Sequence, residues 1–318
     1  MAAEIISMIN WKGGVGKSTL SLHLGVGLMR RKEGPSRPKV LLIDLDPQCN
    51  LSYLALGVNK YVDAVYKNGQ LTLKNIFDSY FEGKTIPTSD AIISQPINAS
   101  PGKVWINVDI LPSHSDLVLV DMRLARERKS GTTHQEETKF ELDKVSIIYN
   151  AIKQVEDEYD YIILDCPPNI NLVTQNSFFA SNYYLIPAIP DFLSTVGISM
   201  IKSEMANLNK NFTSMISYSG AKIDYTDAEL LGIIFNMVDE YGGGPKGTHE
   251  DTINNVNAQH DNLVFDAYVT HGDGISVAAN NNMTVYSYDS LPKSKQNAEK
   301  QSDYLNEVVD ELLSKLRG

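Results

Sequence analysis

The sequence predicts an α/β domain with a mainly parallel, twisted sheet and helices on both of its faces, and three observations carry that expectation. Short apolar runs recur at 5–9, 40–43 and 161–164. Each is too short for a helix and is continuous rather than alternating, the pattern of strands buried on both faces. Two of these runs deliver an aspartate, Asp44 and Asp165, at their carboxyl ends, where open α/β sheets bind ligands. The first run passes through a glycine-rich stretch straight into a helical pattern, so the chain turns from strand to helix there.

In chain order, the strand Ile5 to Ile9 leads into Asn10-Trp11-Lys12-Gly13-Gly14-Val15-Gly16-Lys17-Ser18-Thr19, and Leu20, Leu22, Leu24, Val26, Leu28 and Met29 mark the helix that follows. Arg30 to Lys39 contains Gly34, Pro35 and Pro38 and cannot continue that helix; it reads as a basic surface loop. Val40 to Asp44 is a buried strand. The stretch from Gly57 to Gly69 has no clear period and receives no role. Leu73 to Phe77 opens a short helix, Val104 to Leu111 forms a strand, and His114 to Arg128 forms a helix with Leu117, Val120 and Leu124 on one face. Arg123, Arg126, Arg128 and Lys129 cluster at its carboxyl end, where cations complement the helix dipole.

The polar segment Lys129 to Lys139 reads as a loop, and Phe140 to Glu158 as one long amphipathic helix leading to the strand that ends at Asp165. Further strands are expected at Tyr183 to Asp191, Leu231 to Asp239 and Leu263 to Val269, with a helix over Ser194 to Asn211. Tyr241 to Gly247 is glycine-rich but has no Gly-Lys-Ser or Gly-Lys-Thr ending, so it reads as a surface turn and not a second phosphate loop. The last helix expected is Ser294 to Leu316, whose Tyr304, Leu305, Val308, Val309, Leu312, Leu313 and Leu316 share a core-facing stripe.

The stretch 10–19 carries the chemistry. Gly13, Gly14 and Gly16 let the backbone curl until successive N–H groups, including that of Val15, point at one place, and the following helix adds its positive amino end. That place suits a polyphosphate. Lys17 reaches the β- and γ-phosphates in this reading, Ser18 supplies a hydroxyl to Mg²⁺, and Thr19 lies near the α-phosphate. Gly16-Lys17-Ser18 is in register with the usual phosphate loop, but Trp11 stands where its first glycine would be.

Composition narrows the choices. Lys plus Arg is 28 against Asp plus Glu 39, a net charge of −11, so DNA binding cannot come from overall charge and needs a local basic patch. The 318 residues suit one large α/β unit, with no apolar run of membrane-spanning length and no signal or transit pattern at the start. Cys49 and Cys166 have no metal-ligand spacing and are consistent with a reducing cytosol.

Residues 11–18 resemble, position by position, the deviant phosphate loop of the ParA/MinD ATPases, in which a second lysine precedes the usual one. Leu41-Leu42-Ile43-Asp44-Leu45-Asp46-Pro47-Gln48 and Tyr159-Asp160-Tyr161-Ile162-Ile163-Leu164-Asp165-Cys166-Pro167-Pro168 are similar to two further motifs of that family, and Leu111-Pro112-Ser113 to Leu117 to a third. The resemblance implies a single P-loop domain over 1–318, with no separate amino-terminal helix-turn-helix domain, that hydrolyses ATP with Mg²⁺. Its implied roles are Lys12 acting across a dimer interface on the partner's phosphate, Asp44 positioning or polarising the attacking water, Asp46 structural or indirectly linked to Mg²⁺, and Asp165 holding Mg²⁺ through a water. Asn236 falls where relatives read the adenine edge, while Thr270-His271 departs from the Pro-Arg of many relatives in the base-binding loop.

The implied function is DNA or plasmid partition: an ATP-bound sandwich homodimer that binds DNA without sequence preference and is stimulated by a ParB-like or adaptor partner. Such a protein is cytoplasmic, and on the nucleoid when ATP-bound. Candidate DNA-facing residues are the basic groups at 30–39 and 123–129 with Lys293, Lys295 and Lys300. The alternative within the family is MinD-like positioning of a protein cargo; the acidic balance of residues 306–317 disfavours its membrane contact. A metabolic ATPase with a small-molecule acceptor is the alternative outside it, and nitrogenase-type iron proteins need paired cysteines that 49 and 166 do not provide.

Overall fold

The computed structural model describes residues 3–32, 36–128 and 131–317, apart from the side chains at 193 and 194. Glu33, Gly34 and Pro35 of the basic loop, and Lys129, lie outside the described residues. The chain runs β1 (Glu4–Met8), α1 (Lys17–Arg30), β2 (Val40–Asp44), α2 (Asn50–Leu56), α3 (Val58–Val62) and α4 (Leu73–Glu82). A small antiparallel pair, β3 (Asn98–Ser100) and β4 (Lys103–Val104), precedes β5 (Val108–Leu111), α5 (Leu117–Arg126), α6 (His134–Val145) and α7 (Ile147–Ile152). Then come β6 (Tyr161–Asp165), α8 (Leu172–Ala180), β7 (Tyr183–Ala188), α9 (Phe192–Ser219) and β8 (Glu229–Phe235). The hairpin β9 (Glu240–Tyr241) and β10 (Gly244–Pro245) leads to α10 (Gly247–Gln259), α11 (Asp273–Asn280) and α12 (Lys295–Arg317).

Six strands form one parallel sheet in the order β5-β2-β6-β1-β7-β8. Alternation along the strands splits the core in two. Ile6, Met8, Val40, Leu42 and Ile163 face a layer built on α1, α2, α3, α11 and α12, whereas Ile5, Leu41, Ile43, Ile162 and Leu164 face α4, α5 and α7. The α6, α8 and α9 helices cover the same face beside β7 and β8. The predicted fold class is therefore the observed one, and the apolar runs are strands because only a sheet covered on both sides has use for residues apolar at every position.

The P-loop helix α1 is buried almost throughout and packs against the carboxyl-terminal helix so closely that a Cβ on Gly27 would come within 2.6 Å of Tyr286 Oη and of Val309. His23 pins it further: Nδ1 lies 2.7 Å from Thr19 O, and Nε2 accepts the Val285 N–H at 3.2 Å. Each ring nitrogen has a defined role only in the neutral tautomer. Burial accordingly lowers the His23 pKa to about 4 from an ordinary 6.5. Because the folded state refuses a proton that the unfolded chain accepts, stability is lost as pH falls from about 6.5 toward 4, by on the order of 3 kcal/mol from this group. Chemical denaturation between pH 7 and 5 should show a steeper loss for the wild type than for His23→Gln; equal slopes would remove His23 from the acid response.

Several expectations are corrected. The expected single helix over 140–158 is broken at Ser146, because the buried Asn176 of α8 donates to Lys144 O at 2.7 Å and accepts Ile148 N–H at 3.2 Å, replacing helical hydrogen bonds. Helix α6 starts earlier than expected, inside the segment read as a loop, since Thr133 caps it by accepting the Glu136 N–H. Residues 263–269 do not form a continuous strand: they bond to β8 at Ile233 and at Phe235, with isolated bridges Ile233↔Val264 and, beyond β8, Val238↔Thr270. Between them the Ala267 N–H is drawn off to Glu311 Oε2 of α12 at 3.0 Å. The stretch 57–69, given no period, is helical, and α9 runs eight residues past Asn211, to Ser219.

Candidate nucleotide site

Three strand ends meet at the carboxyl edge of the sheet. From β1 the chain enters the glycine loop, with Gly14 and Gly16 at φ of 77° and 85°, and Gly16 caps the amino end of α1. A side chain at Gly16 would meet Asn236 Nδ2 at 2.0 Å, so glycine is required there by space as well as by conformation. Strands β2 and β6 pair so that Asp44 stands directly opposite Asp165, and β1 places Met8 on the other side of Asp165. The loop and both carboxylates are thus brought together as expected.

A cleft of about 540 Å³ opens over the loop. Gly13, Gly14, Gly16, Lys17, Ser18 and Thr19 form its floor with Asp46 and Pro168, while Tyr53, Leu54, Val58, Met237, Ala279, Asn280 and Asn282 close its far end. Lys17 is buried, and its Nζ donates to Asn10 O at 2.9 Å and Lys12 O at 3.3 Å. Burial lowers its pKa, opposed by the charge of Asp165. Asp165 is wholly buried; Oδ1 accepts from Ser21 Oγ at 3.1 Å, and Oδ2 has no hydrogen-bond partner among the described residues. Burial raises its pKa, while the adjoining Ser18 hydroxyl and the Lys17 charge hold it down.

An orphaned, buried carboxylate oxygen beside a serine hydroxyl at the foot of a phosphate-sized cradle is what a hard divalent cation relieves, and the residues fit Mg²⁺ carried in with phosphates. No cluster of three or more His, Cys, Asp or Glu side chains suited to a metal occurs among the described residues.

Three further site candidates are held as follows. Asp44, expected beside the attacking water, is fully buried and does not line the cleft. Its Oδ2 accepts from Ser52 N (2.8 Å) and Ser52 Oγ (2.6 Å) and its Oδ1 from Asp46 N (3.1 Å). Burial and the nearby Asp165 push its pKa well up. Asp46, expected to be structural or indirectly linked to Mg²⁺, is the carboxylate on the cleft wall. Asn236, placed by sequence at the adenine edge, spends its amide on the loop itself: Nδ2 donates to Val15 O at 3.1 Å and Oδ1 accepts Met237 N–H at 2.9 Å. Its neighbour Met237 faces the cleft instead. The cleft-lining Tyr53, Ala279, Asn280 and Asn282 carry no motif and were not found by sequence reasoning.

Lys12 leaves the loop on another side. It does not line the cleft, and its Nζ lies 2.7 Å from Asp191 Oδ2. A larger cavity, about 730 Å³, opens beside 270–272, but no P-loop residue lines it; on its wall Lys300 pairs with Glu240 and His271 faces Asp239. Many cations read as DNA-facing also have partners: Arg31 with Asp310, Lys39 with Asp109 and Glu158, Lys295 with Asp289. Arg30 lies over Tyr286 and Arg123 over Phe81. Among the described residues no helix is long and apolar enough to cross a membrane.

Comparison with known proteins agrees with this geometry. The AAA_31 family model, an AAA domain, matches residues 3–218. The chain is similar to a virulence plasmid ParA family protein of Chlamydia psittaci, 28% identical over 80% of this chain and 76% of the relative. It is also similar to the chromosome partitioning protein ParA of Caulobacter vibrioides, 24% identical over 90% of this chain and 87% of that protein. Among solved structures, a Cyanothece McdA variant in complex with ATP superposes with a TM-score of 0.71 at 18% identity, covering 98% of this chain and 97% of the other, a likeness of fold. On these matches the chain belongs to the AAA domain family, as a P-loop ATPase of its ParA type.

Proposed function

We propose that this partition-type ATPase works as an ATP-bound sandwich homodimer that binds DNA without sequence preference, and that a ParB-like or adaptor partner stimulates its hydrolysis of ATP. The observation that carries this reading is the split between the two loop lysines. Lys17 is buried in its own cleft, whereas Lys12 is about one-third exposed and directed away from it. A lysine that cannot serve its own nucleotide has a use if a second protomer presents another.

In this reading the loop N–H groups of 13–19 and Lys17 bind the phosphates, and Ser18 with Asp165 holds Mg²⁺, Asp165 through a water. The ion would supply positive charge that neutralises the charge developing on the phosphates. Asp46, facing the cleft, orients the attacking water, while Asp44 fixes the turn that presents Asp46. Asn236 holds the loop from behind by its bond to Val15 O. Lys12 supplies positive charge to the partner's nucleotide at the transition state, as an arginine finger does. Phe192, Val196 and Met200, exposed at the start of α9 next to Lys12, supply apolar surface for the same face.

Light scattering or mobility shift with nonspecific duplex DNA tests the functional half. Binding is expected to require ATP and to weaken steeply between 50 and 200 mM salt, by about 10³-fold or more if six or more phosphates are contacted. DNA binding indifferent to ATP, or none at low salt with ATP, would overturn the DNA reading. The resulting location, on the nucleoid when ATP is bound, follows from the same property.

A further inference from the structure

The two lysines of the loop are held by different parts of the fold. Asn10 Oδ1 accepts the Lys12 N–H at 2.8 Å, and Asn10 Nδ2 donates to Pro187 O at 2.7 Å. The backbone of Lys12 is thereby tied to the end of β7, and its side chain emerges beside Asp191, one residue before α9 begins. There Lys12 Nζ meets Asp191 Oδ2 at 2.7 Å, with side-chain exposures of 35% and 40%. Asp191 O also accepts the Thr195 N–H at 3.2 Å, so its carboxylate sits at the amino end of a 28-residue helix.

We infer that Asp191 is a positioning residue that parks Lys12 in the single protomer, and that both such ion pairs must open when two ATP-bound protomers close on each other. The inference rests on the role in trans proposed above for Lys12. Its charge balance favours reversibility. A triphosphate enclosed between protomers is a stronger attractant for an ammonium than one half-exposed carboxylate. Asp191, once released, stays at a helix amino end where an anion is favoured. The lysine can therefore be surrendered without stranding an unmatched charge in the core. Parking also keeps a second cation away from the protomer's own loop, which already carries Lys17.

The size of the effect follows from exposure. Ion pairs this accessible are worth about 1.5- to 5-fold in an equilibrium constant. A symmetric dimer opens two of them at once, so the dissociation constant is raised by about 2- to 30-fold relative to a protein without the latch. That is enough to suppress pairing at low occupancy by ATP and too little to block it at saturation.

The test is sedimentation equilibrium of the full chain with a slowly hydrolysed ATP analogue. Asp191→Asn keeps the shape of the side chain and its ability to cap α9 while removing the charge. Its dimer dissociation constant should be about 2- to 30-fold lower than that of wild type at low salt, with the gain shrinking at 0.5 M salt as screening weakens the pair. Asp191→Glu, which restores the charge, should return the constant toward wild type. An unchanged or weaker Asp191→Asn dimer would overturn the parking role, and would instead have Asp191 support Lys12 in the closed state. A wild-type chain that stays monomeric with the analogue would overturn the dimer reading itself, an outcome distinct from the first because it does not depend on residue 191.

Discussion

Lys12→Ala should bind ATP as a monomer about as tightly as the wild type, yet turn it over on the order of a thousandfold more slowly. The expectation combines location with magnitude. Lys12 lines none of the 540 Å³ cleft, so its removal leaves the Gly13–Thr19 cradle, Lys17 and Ser18 in place. A cation delivered in trans to a transferring phosphoryl group is worth about 10³–10⁵ in rate. The change itself is gentle on the fold, because the ion pair lost with Asp191 is half-exposed and worth at most about 1 kcal/mol. Fluorescent-nucleotide titration and single-turnover hydrolysis separate the two quantities. Normal turnover would remove Lys12 from the mechanism, and loss of monomer binding would move it into the protomer's own site.

Asp46→Ala should retain nucleotide binding and stall hydrolysis by about 10²–10⁴-fold, the range that general-base or water-orienting groups contribute. Asp44→Ala is expected to act differently. Its carboxylate accepts three hydrogen bonds, from Ser52 N, Ser52 Oγ and Asp46 N, and losing them leaves buried donors unmatched at about 1–3 kcal/mol each. Part of that loss is offset, since burial and the facing Asp165 already disfavour the Asp44 charge. The first measurable consequence of Asp44→Ala is therefore a lowered melting temperature, and any loss of turnover follows from the misplaced turn. Thermal melts and turnover measured on both variants decide the assignment. If Asp46→Ala hydrolyses ATP normally while a stably folded Asp44→Ala does not, the roles return to the order that the motif alone suggested.

The contrast between these two aspartates shows where sequence reading reached its limit. The motif 41–48 located both carboxylates at a strand end correctly, because an apolar run that stops at an acid is a local signal of a buried strand reaching the sheet's carboxyl edge. Which of two acids, two residues apart, faces the cleft depends on Ser52 and Ser113, and no periodicity reports them: Ser52 binds Asp44, and Ser113 Oγ donates to Asp46 O at 2.7 Å. Asn236 is a similar case. Its position at the end of β8 was legible, but the side chain turns to Val15 O, a partner 221 residues away. The break at Ser146 was invisible for the same reason, since Asn176 on another helix supplies the competing hydrogen bonds. The lining of the cleft by Tyr53, Ala279, Asn280 and Asn282 comes from α2, α11 and the turn after α11, elements without a motif.

By itself the sequence determined the parallel sheet covered on both faces, the phosphate loop at the end of its first strand, and the order of Lys17, Ser18, Asp44 and Asp165 around one edge. These are properties of short windows, fixed by side-chain periodicity and by the backbone freedom of glycine. Long-range contacts set the rest: which of the two carboxylates lines the cleft, where Asn236 points, and that Lys12 rests on Asp191. Each of those outcomes is a choice among hydrogen-bonding or ionic partners far apart in the chain, and burial enforces the choice by leaving a donor or acceptor no solvent to turn to.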